Sequence, residues 1–447
     1  MNNETWPLLK QQLYRQRWRI LIVAALAHTI GMFHRAAMGP IADRIMADFS
    51  ITAVTFGSLS AVYFYTYAAM QIPSGTLADT WGPRRTIACG VTLSVLGSTL
   101  MGVSPSIAVL FVGRLLIGLG VSVAWLSCIK LIMEWFKTRE RGIMIGLAGA
   151  LANIGQLAAT TPLAMLVMWI GWRMSLVAIG QISLIIAIAN WLFVRDNPMK
   201  IGLPNIESIE NQDVIKGLTT EEHQQFDLAQ RFRVVFTNKH LWLLFLFFFG
   251  LYGAYSTLVH SWTVFYVMQT YGVSRDFATN FTFISTISHI ISVALAGFLS
   301  YWLRRRKLPA VLFGGIFIVS LLILTFWNGG KPPLQALYLL YFFIGLGTGA
   351  IPILFAIVGD LVHPSLRGLA GGLINSGLFI GSAIAQPVFG YILDLGWQGE
   401  IIEGARVFPL SAFQHGFFLC CALATLGFIS ILFVKETYCR PVYMDQG

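Results

Sequence analysis

Apolar runs of about 20 residues recur along nearly the whole chain, each closed by a short polar stretch. A run of that length crosses roughly 30 Å of hydrocarbon as a helix. The pattern predicts about twelve spanning helices. The first six lie near 18–41, 53–76, 86–104, 106–135, 142–169 and 173–194, and the second six near 240–269, 277–302, 308–328, 334–361, 367–393 and 411–434. Between the sets runs the one long polar stretch, Arg195 to Lys239, which carries Asp196, Lys200, Glu207, Glu210, Asp213, Lys216, Glu221 and Glu222. Within it Thr219 and Glu222 have capping-box spacing, so a short amphipathic helix is expected toward Phe236. The expected architecture is an all-α membrane protein with an N-terminal six-helix bundle (1–194), a linker (195–239) and a C-terminal six-helix bundle with a short tail (240–447).

Composition removes the soluble alternatives. Of 447 residues 56% are hydrophobic and 11% charged, against about 25% charge in a soluble domain. The first apolar run has no small-residue cleavage site and reads as a membrane helix, not a signal peptide. The net charge of +10 lies in particular short loops, which marks topology and not nucleic-acid binding. Lys10, Arg15, Arg17 and Arg19 precede the first helix, Arg84 and Arg85 follow the second, and Lys137, Arg139 and Arg141 follow the fourth. Arg304, Arg305, Arg306 and Lys307 continue the series. On the opposite side Arg44 is offset by Asp43 and Asp48, and the loop near Ser104 has no cation. Both termini are therefore expected in the cytoplasm, in a bacterial inner membrane.

Cys89, Cys128, Cys420 and Cys421 fall within apolar runs and Cys439 in the tail, with no metal-ligand spacing to histidines. Neither a metal nor a cofactor is expected. No phosphate loop, nucleophile motif or metal cluster points to an enzyme, so movement of a solute would draw on a gradient and not on ATP.

Candidate binding chemistry gathers in the spans. His28, Gly31 and Arg35 share a stripe of the first helix, with His34 beside it. A cation this deep needs a partner or a wet cavity. An anionic solute could supply the partner through paired guanidinium bonds; the plainer reading bonds Arg35 to helix carbonyls or to Asp43 and Asp48. Tyr252, Tyr255, Ser256 and His260 share a face of the seventh helix, and Tyr63, Tyr67 and Gln71 recur every four residues in the second. Asn153, Gln156 and Thr160 in the fifth, and Asn375, Ser382 and Gln386 in the eleventh, offer further polar groups. Each of these residues equally suits an interhelical hydrogen bond. Lys130 lies one turn before Glu134 and is expected to pair with it or to snorkel. No carboxylate lies near the middle of a span, so histidines, first His34, then His260, His289 and His28, are the proton-coupling candidates.

The segment Gly75-Thr-Leu-Ala-Asp79-Thr-Trp-Gly82-Pro-Arg84-Arg85 resembles the signature loop between the second and third helices of the major facilitator superfamily. Gly297-Phe-Leu-Ser-Tyr301-Trp-Leu-Arg304-Arg305 echoes it in the second half, with Tyr301 in place of the aspartate. Arg114-Leu-Leu-Ile-Gly118-Leu-Gly120 and Lys137-Thr-Arg139-Glu140-Arg141-Gly142 resemble further patterns of that superfamily, and Gly345-Leu-Gly347-Thr-Gly349 in the tenth helix repeats the small-residue theme. The resemblance implies two bundles that alternate access to a solute, with Gly75, Asp79, Gly82, Arg84, Arg85 and Arg114 in a cytoplasmic gate. Ala159-Thr160 stands where drug–proton antiporters carry Gly-Pro, which argues against multidrug efflux.

Within the superfamily, Arg35, the segment Arg195-Asp-Asn-Pro198-Met-Lys-Ile-Gly202-Leu-Pro204 and Asn238-Lys239-His-Leu-Trp242 with Trp262 resemble the organophosphate carriers, sugar-phosphate sensors and anion–cation symporters. Ser256 stands near the place of a second arginine, His34 where symporters keep an aspartate, and Val121 where they tend to have a glutamate. The expectation is a monomeric, proton-coupled carrier of a small organic anion or zwitterion. Arg35, His34, Tyr67, Gln71, Tyr255, His260 and Asn375 are the residues expected to bind it. A carrier-shaped solute sensor, or an exporter of an amphipathic metabolite such as a siderophore, are the competing expectations.

Overall fold

The computed structural model describes residues 5–204, 228–363, 366–402 and 405–440. The predicted helix from Thr219 and Glu222, and the linker charges Glu207, Glu210, Asp213, Lys216 and Glu221, lie outside the described residues. The N-terminal half holds α1 (Thr5–Ala36), α2 (Ala42–Phe49), α3 (Ala53–Ala69), α4 (Gln71–Thr80), α5 (Pro83–Gly102), α6 (Ile107–Ser122), α7 (Ala124–Trp135), α8 (Thr138–Ala158) and α9 (Thr161–Phe193). After α10 (Leu228–Thr237) come α11 (Lys239–Phe247), α12 (Gly253–Thr257) and α13 (Thr263–Tyr271). The rest is α14 (Arg275–Leu303), α15 (Lys307–Phe326), α16 (Leu334–Leu346), α17 (Ile351–Leu361), α18 (Arg367–Leu395) and α19 (Leu410–Leu432), with a small antiparallel pair β1 (Ile401–Ile402) and β2 (Ala405–Arg406) before α19.

Among the described residues eight helical stretches are long and apolar enough to cross a membrane, and nine if the bent pair Gln11–Ala36 with Gly39–Phe49 is one span. Three more crossings fail that test for visible reasons. α3 and α4 are parted at Met70; α5 opens with Arg84 and Arg85; α8 begins in the charged run around Glu140. Inside α9 Gly171 adopts φ 75°, a left-handed turn that divides the fifth crossing from the sixth. The fifth crossing thus starts at Thr138, earlier than the expected 142, and is interrupted at 159–160. The first helix ends at Ala36, not 41, because the chain there enters a 3-10 turn at Gly39–Ile41 with Pro40 near its start.

The chain forms two compact units. One comprises Met1–Arg35, Ala69–Gln156 and Ile170–Glu222; the other comprises Ala36–Ala68, Leu157–Trp169 and His223–Gly447. In the first unit the core holds Leu13, Ile20, Leu21, Cys128, Leu131, Trp135 and Val194. Glycines let its helices touch backbone to backbone: a Cβ on Gly155 would lie 2.0 Å from the Thr29 carbonyl oxygen, and one on Gly120 2.3 Å from that of Gly90.

The second unit draws in α2 and α3 by polar and steric means together. Arg275 pairs with Asp43 and donates to the Pro40 carbonyl at 2.7 Å. Asp394 accepts from the Ala53 and Val54 N–H groups at 3.0 and 2.7 Å, capping α3, and pairs with Arg406 at 3.1 Å. Gly57 lies against the Gln386 carbonyl and Pro387, where an added Cβ would sit 2.5 Å from the oxygen.

Candidate functional site

The first unit places its candidate groups on α1 and the fourth crossing. His28, His34 and Arg35 are all buried. The His28 ring lies 4.8 Å from that of Trp125, and Gly31 allows α1 to meet Val121. Arg114, buried to 1% exposure, donates to the His34 carbonyl at 2.8 Å. The His28 Nδ1 and the His34 Nε2 have no hydrogen-bond partner among the described residues. Buried ring nitrogens are normally satisfied, and these two are exceptions that call for a polar partner. Asp43, one of the carboxylates considered for Arg35, is paired with Arg275. Gln71, at the start of α4, is half-buried.

Arg114, expected in the cytoplasmic gate, makes this contact elsewhere on the fourth crossing than the contacts around Asp79. It touches α1 at His34, while Lys130, sixteen residues and roughly 24 Å farther along the same crossing, reaches the C-terminal end of α4. Lys130 pairs with Asp79 at 2.7 Å and donates to the Ala78 carbonyl, so its expected pairing with Glu134 is corrected. Glu134 instead accepts from Asn197 at 2.9 Å.

The rest of the signature loop is built around Asp196. Gly82 has φ 86° and ψ 149°, and a Cβ there would lie 2.8 Å from the Asp196 carboxylate. Asp196 accepts from the Arg84 N–H at 2.8 Å and so caps α5. The Arg84 guanidinium donates to the Trp191 carbonyl at 2.6 and 3.0 Å and lies over the Trp191 ring. Gly75 and Arg85 make no contact of this kind among the described residues; a Cβ on Gly75 would meet only the Leu126 side chain, at 4.0 Å.

In the second unit the seventh crossing is the organising element. Two π-turns, Phe248–Tyr252 and Leu258–Trp262, bracket α12 and shift its register, so the expected face of Tyr252, Tyr255, Ser256 and His260 is not that of a regular helix. All four are buried. The Tyr255 ring lies 5.5 Å from that of His260 and stacks at 5.8 Å on His289. The His289 Nδ1 is 2.6 Å from the Thr348 hydroxyl, whose own proton goes to the Gly345 carbonyl at 2.6 Å. His289 therefore donates from Nδ1, and in its neutral form leaves Nε2 as the acceptor. Tyr67 stacks on Phe379 at 4.2 Å, and Asn375 is half-buried one turn before Phe379 on α18. Ser256 and Ser382 bond at 2.6 Å. Trp262 stacks on Phe389, and its Nε1, like both amide atoms of Gln386, has no hydrogen-bond partner among the described residues.

Sequence reasoning missed the π-turns, the Asp196 cap and the Asp394 cap. One signal was present for the last: a carboxylate at the C-terminal end of a helix opposes the helix dipole and needs a partner elsewhere. The described residues hold no cluster able to bind a metal.

The Major Facilitator Superfamily profile matches residues 24–385. The chain belongs to that superfamily. A probable sulfoacetate transporter, SauU of Cupriavidus necator, is 25% identical over 86% of this chain and 89% of its own. A glycerol-3-phosphate transporter of Bacillus subtilis is 27% identical over 77% of this chain and 80% of its own. A bacterial homologue of the human lysosomal transporter Spinster, solved inward-facing and unoccupied, superposes with a TM-score of 0.73 at 18% identity, covering 94% of this chain and 96% of that one. This superfamily member is a multi-span integral membrane protein, all-α, with about twelve membrane helices in two pseudo-symmetric six-helix bundles. It is a transporter of small-molecule solutes and not an enzyme.

Proposed function

We propose that this transporter carries a small organic anion or zwitterion by alternating access, coupled to protons, with Arg35 as the group that binds the solute's negative charge. The observation that carries the reading is the pair His34–Arg35: both are buried in α1, and the His34 Nε2 has no hydrogen-bond partner among the described residues. A guanidinium inside a membrane protein is expensive and favours a site where a carboxylate, sulfonate or phosphate can meet it. Two relatives are named for sulfoacetate and glycerol 3-phosphate, both anions. Gln71, Tyr67, Tyr255, His260 and Asn375 complete the solute's contacts. His34, His260 and His289 carry the coupling protons. Gly75, Asp79, Gly82, Arg84 and Arg85 form the cytoplasmic gate. The protein acts as a monomer in the bacterial inner membrane, with both termini cytoplasmic and bundles over 1–194 and 240–447 joined by the 195–239 linker.

Uptake of sulfoacetate, glycerol 3-phosphate and a panel of small acids by proteoliposomes tests this. Loss of two charge-assisted hydrogen bonds at about 1.5–3 kcal/mol each lowers uptake by about 100-fold or more in Arg35→Ala. Arg35→Lys keeps the charge without the fork and falls between. Undiminished uptake in both variants would remove Arg35 from the site. Uptake indifferent to pH and to a protonophore would remove the protons and leave solute exchange; binding without uptake would make the protein a sensor.

A further inference from the structure

At the end of α14 the chain forms an open groove of about 1030 Å³, bounded by the 301–306 turn and by the segment that follows α19. Its lining carries four cations, Arg304, Arg306, Lys435 and Arg440, and one carboxylate, Glu436. That carboxylate faces inward, accepting from the Arg306 N–H at 2.8 Å and the Lys307 N–H at 3.1 Å, and so caps α15. Arg306 is held in the wall by Asp360 at 3.3 Å and Ser300 at 3.2 Å. Arg304, Lys435 and Arg440 are exposed and form no ion pair among the described residues. Beside them Tyr301 is 81% exposed and Trp302 70%. Large amphipathic rings left bare at a helix end belong at the border between lipid and water.

A loop that only fixes topology needs charge and no shape. Here the cations converge on a preformed cavity of headgroup size, at the level where aromatic rings meet the bilayer. We propose that this groove binds the phosphodiester headgroup of an anionic glycerophospholipid, with Arg304, Lys435 and Arg440 facing the phosphate and Tyr301 and Trp302 flanking the glycerol. Arg35 is not among its lining residues, and its occupant does not depend on which solute is carried.

Native mass spectrometry of the full-length protein tests it with dioleoylphosphatidylglycerol and dioleoylphosphatidylcholine, which differ only in the headgroup. The anionic lipid binds more tightly. Each neutralised cation weakens it roughly fivefold, and Arg304→Gln/Lys435→Gln/Arg440→Gln together of order 100-fold, while the zwitterionic lipid is unaffected. Arg15→Gln/Arg19→Gln, two exposed cations at the start of the chain, leaves binding as it was. If the triple variant does not fold, Lys435→Gln alone gives the fivefold reading. Equal binding of the two lipids, or full binding in the variants, would overturn the proposal. Displacement of the lipid by millimolar glycerol 3-phosphate would overturn it too, by making the ligand a soluble phosphate ester.

Discussion

The loop after the second crossing and its counterpart after the eighth share little sequence and one construction. At the end of α4, Asp79 pairs with Lys130; at the end of α14 its place is taken by Tyr301, which is exposed. Yet the helix that follows each loop is capped by a carboxylate from beyond the last crossing of its half. Asp196, three residues past α9, accepts from Arg84; Glu436, four residues past α19, accepts from Arg306 and Lys307. The next residue repeats as well: Asn197 bonds Glu134, and Thr437 bonds Asp360, each the penultimate residue of its crossing. The two halves have kept a way of tying off a helix start while the loop itself diverged. A helix N-terminus left without partners is a fixed liability, whereas a solvated loop residue is free to change.

The largest contrast is expected between the two glycines. Gly82→Ala forces an alanine into backbone space that is nearly glycine-only, at about 1–3 kcal/mol, and drives its methyl into Asp196. Gly297→Ala meets nothing within 4 Å in a regular helix and is neutral or gains up to about 1 kcal/mol. Thermal unfolding in detergent separates them; equal melting temperatures would break the comparison. Next come the caps. Asp196→Ala and Glu436→Ala each cost about 1–2 kcal/mol, read by the same assay, and a silent result at either position would leave only one half built this way.

The Glu436 cap adds a dependence on pH. Burial alone would raise its pKa, but the N–H groups of Arg306, Lys307, Tyr438 and Thr437 outweigh that and hold it below the usual carboxylate value. A depressed folded pKa gives stability that is complete above the ordinary value of 4.5 and lost as pH falls through the folded one. The gap in melting temperature between wild type and Glu436→Gln should therefore close on acidification below 4.5, and a gap constant from pH 7 to 3 would exclude the linkage. The smallest effect belongs to Asp79→Asn. Its partner Lys130 has a side chain 28% exposed and Asp79 itself is 73% exposed, so stability changes by about 1 kcal/mol or less. A transport defect in that variant would then report on the gate and not on folding.

The sequence alone determined the solvent and the class. Twelve apolar runs, a net charge placed in particular loops, and the glycine, aspartate and arginine spacing of 75–85 are all local patterns, and helix formation in lipid is itself local because each backbone group bonds within its own helix. It also marked His34 and Arg35 as chemically out of place. Only the tertiary structure decided where the polar groups go. Lys130 takes Asp79, 51 residues away; Asp196 reaches back 112 residues to α5; Asp394 caps α3 across 341. Such partners are chosen by packing between crossings far apart in the chain. The two π-turns of the seventh crossing were likewise out of reach, since one added residue per turn leaves the apolar composition unchanged while rotating every side chain beyond it.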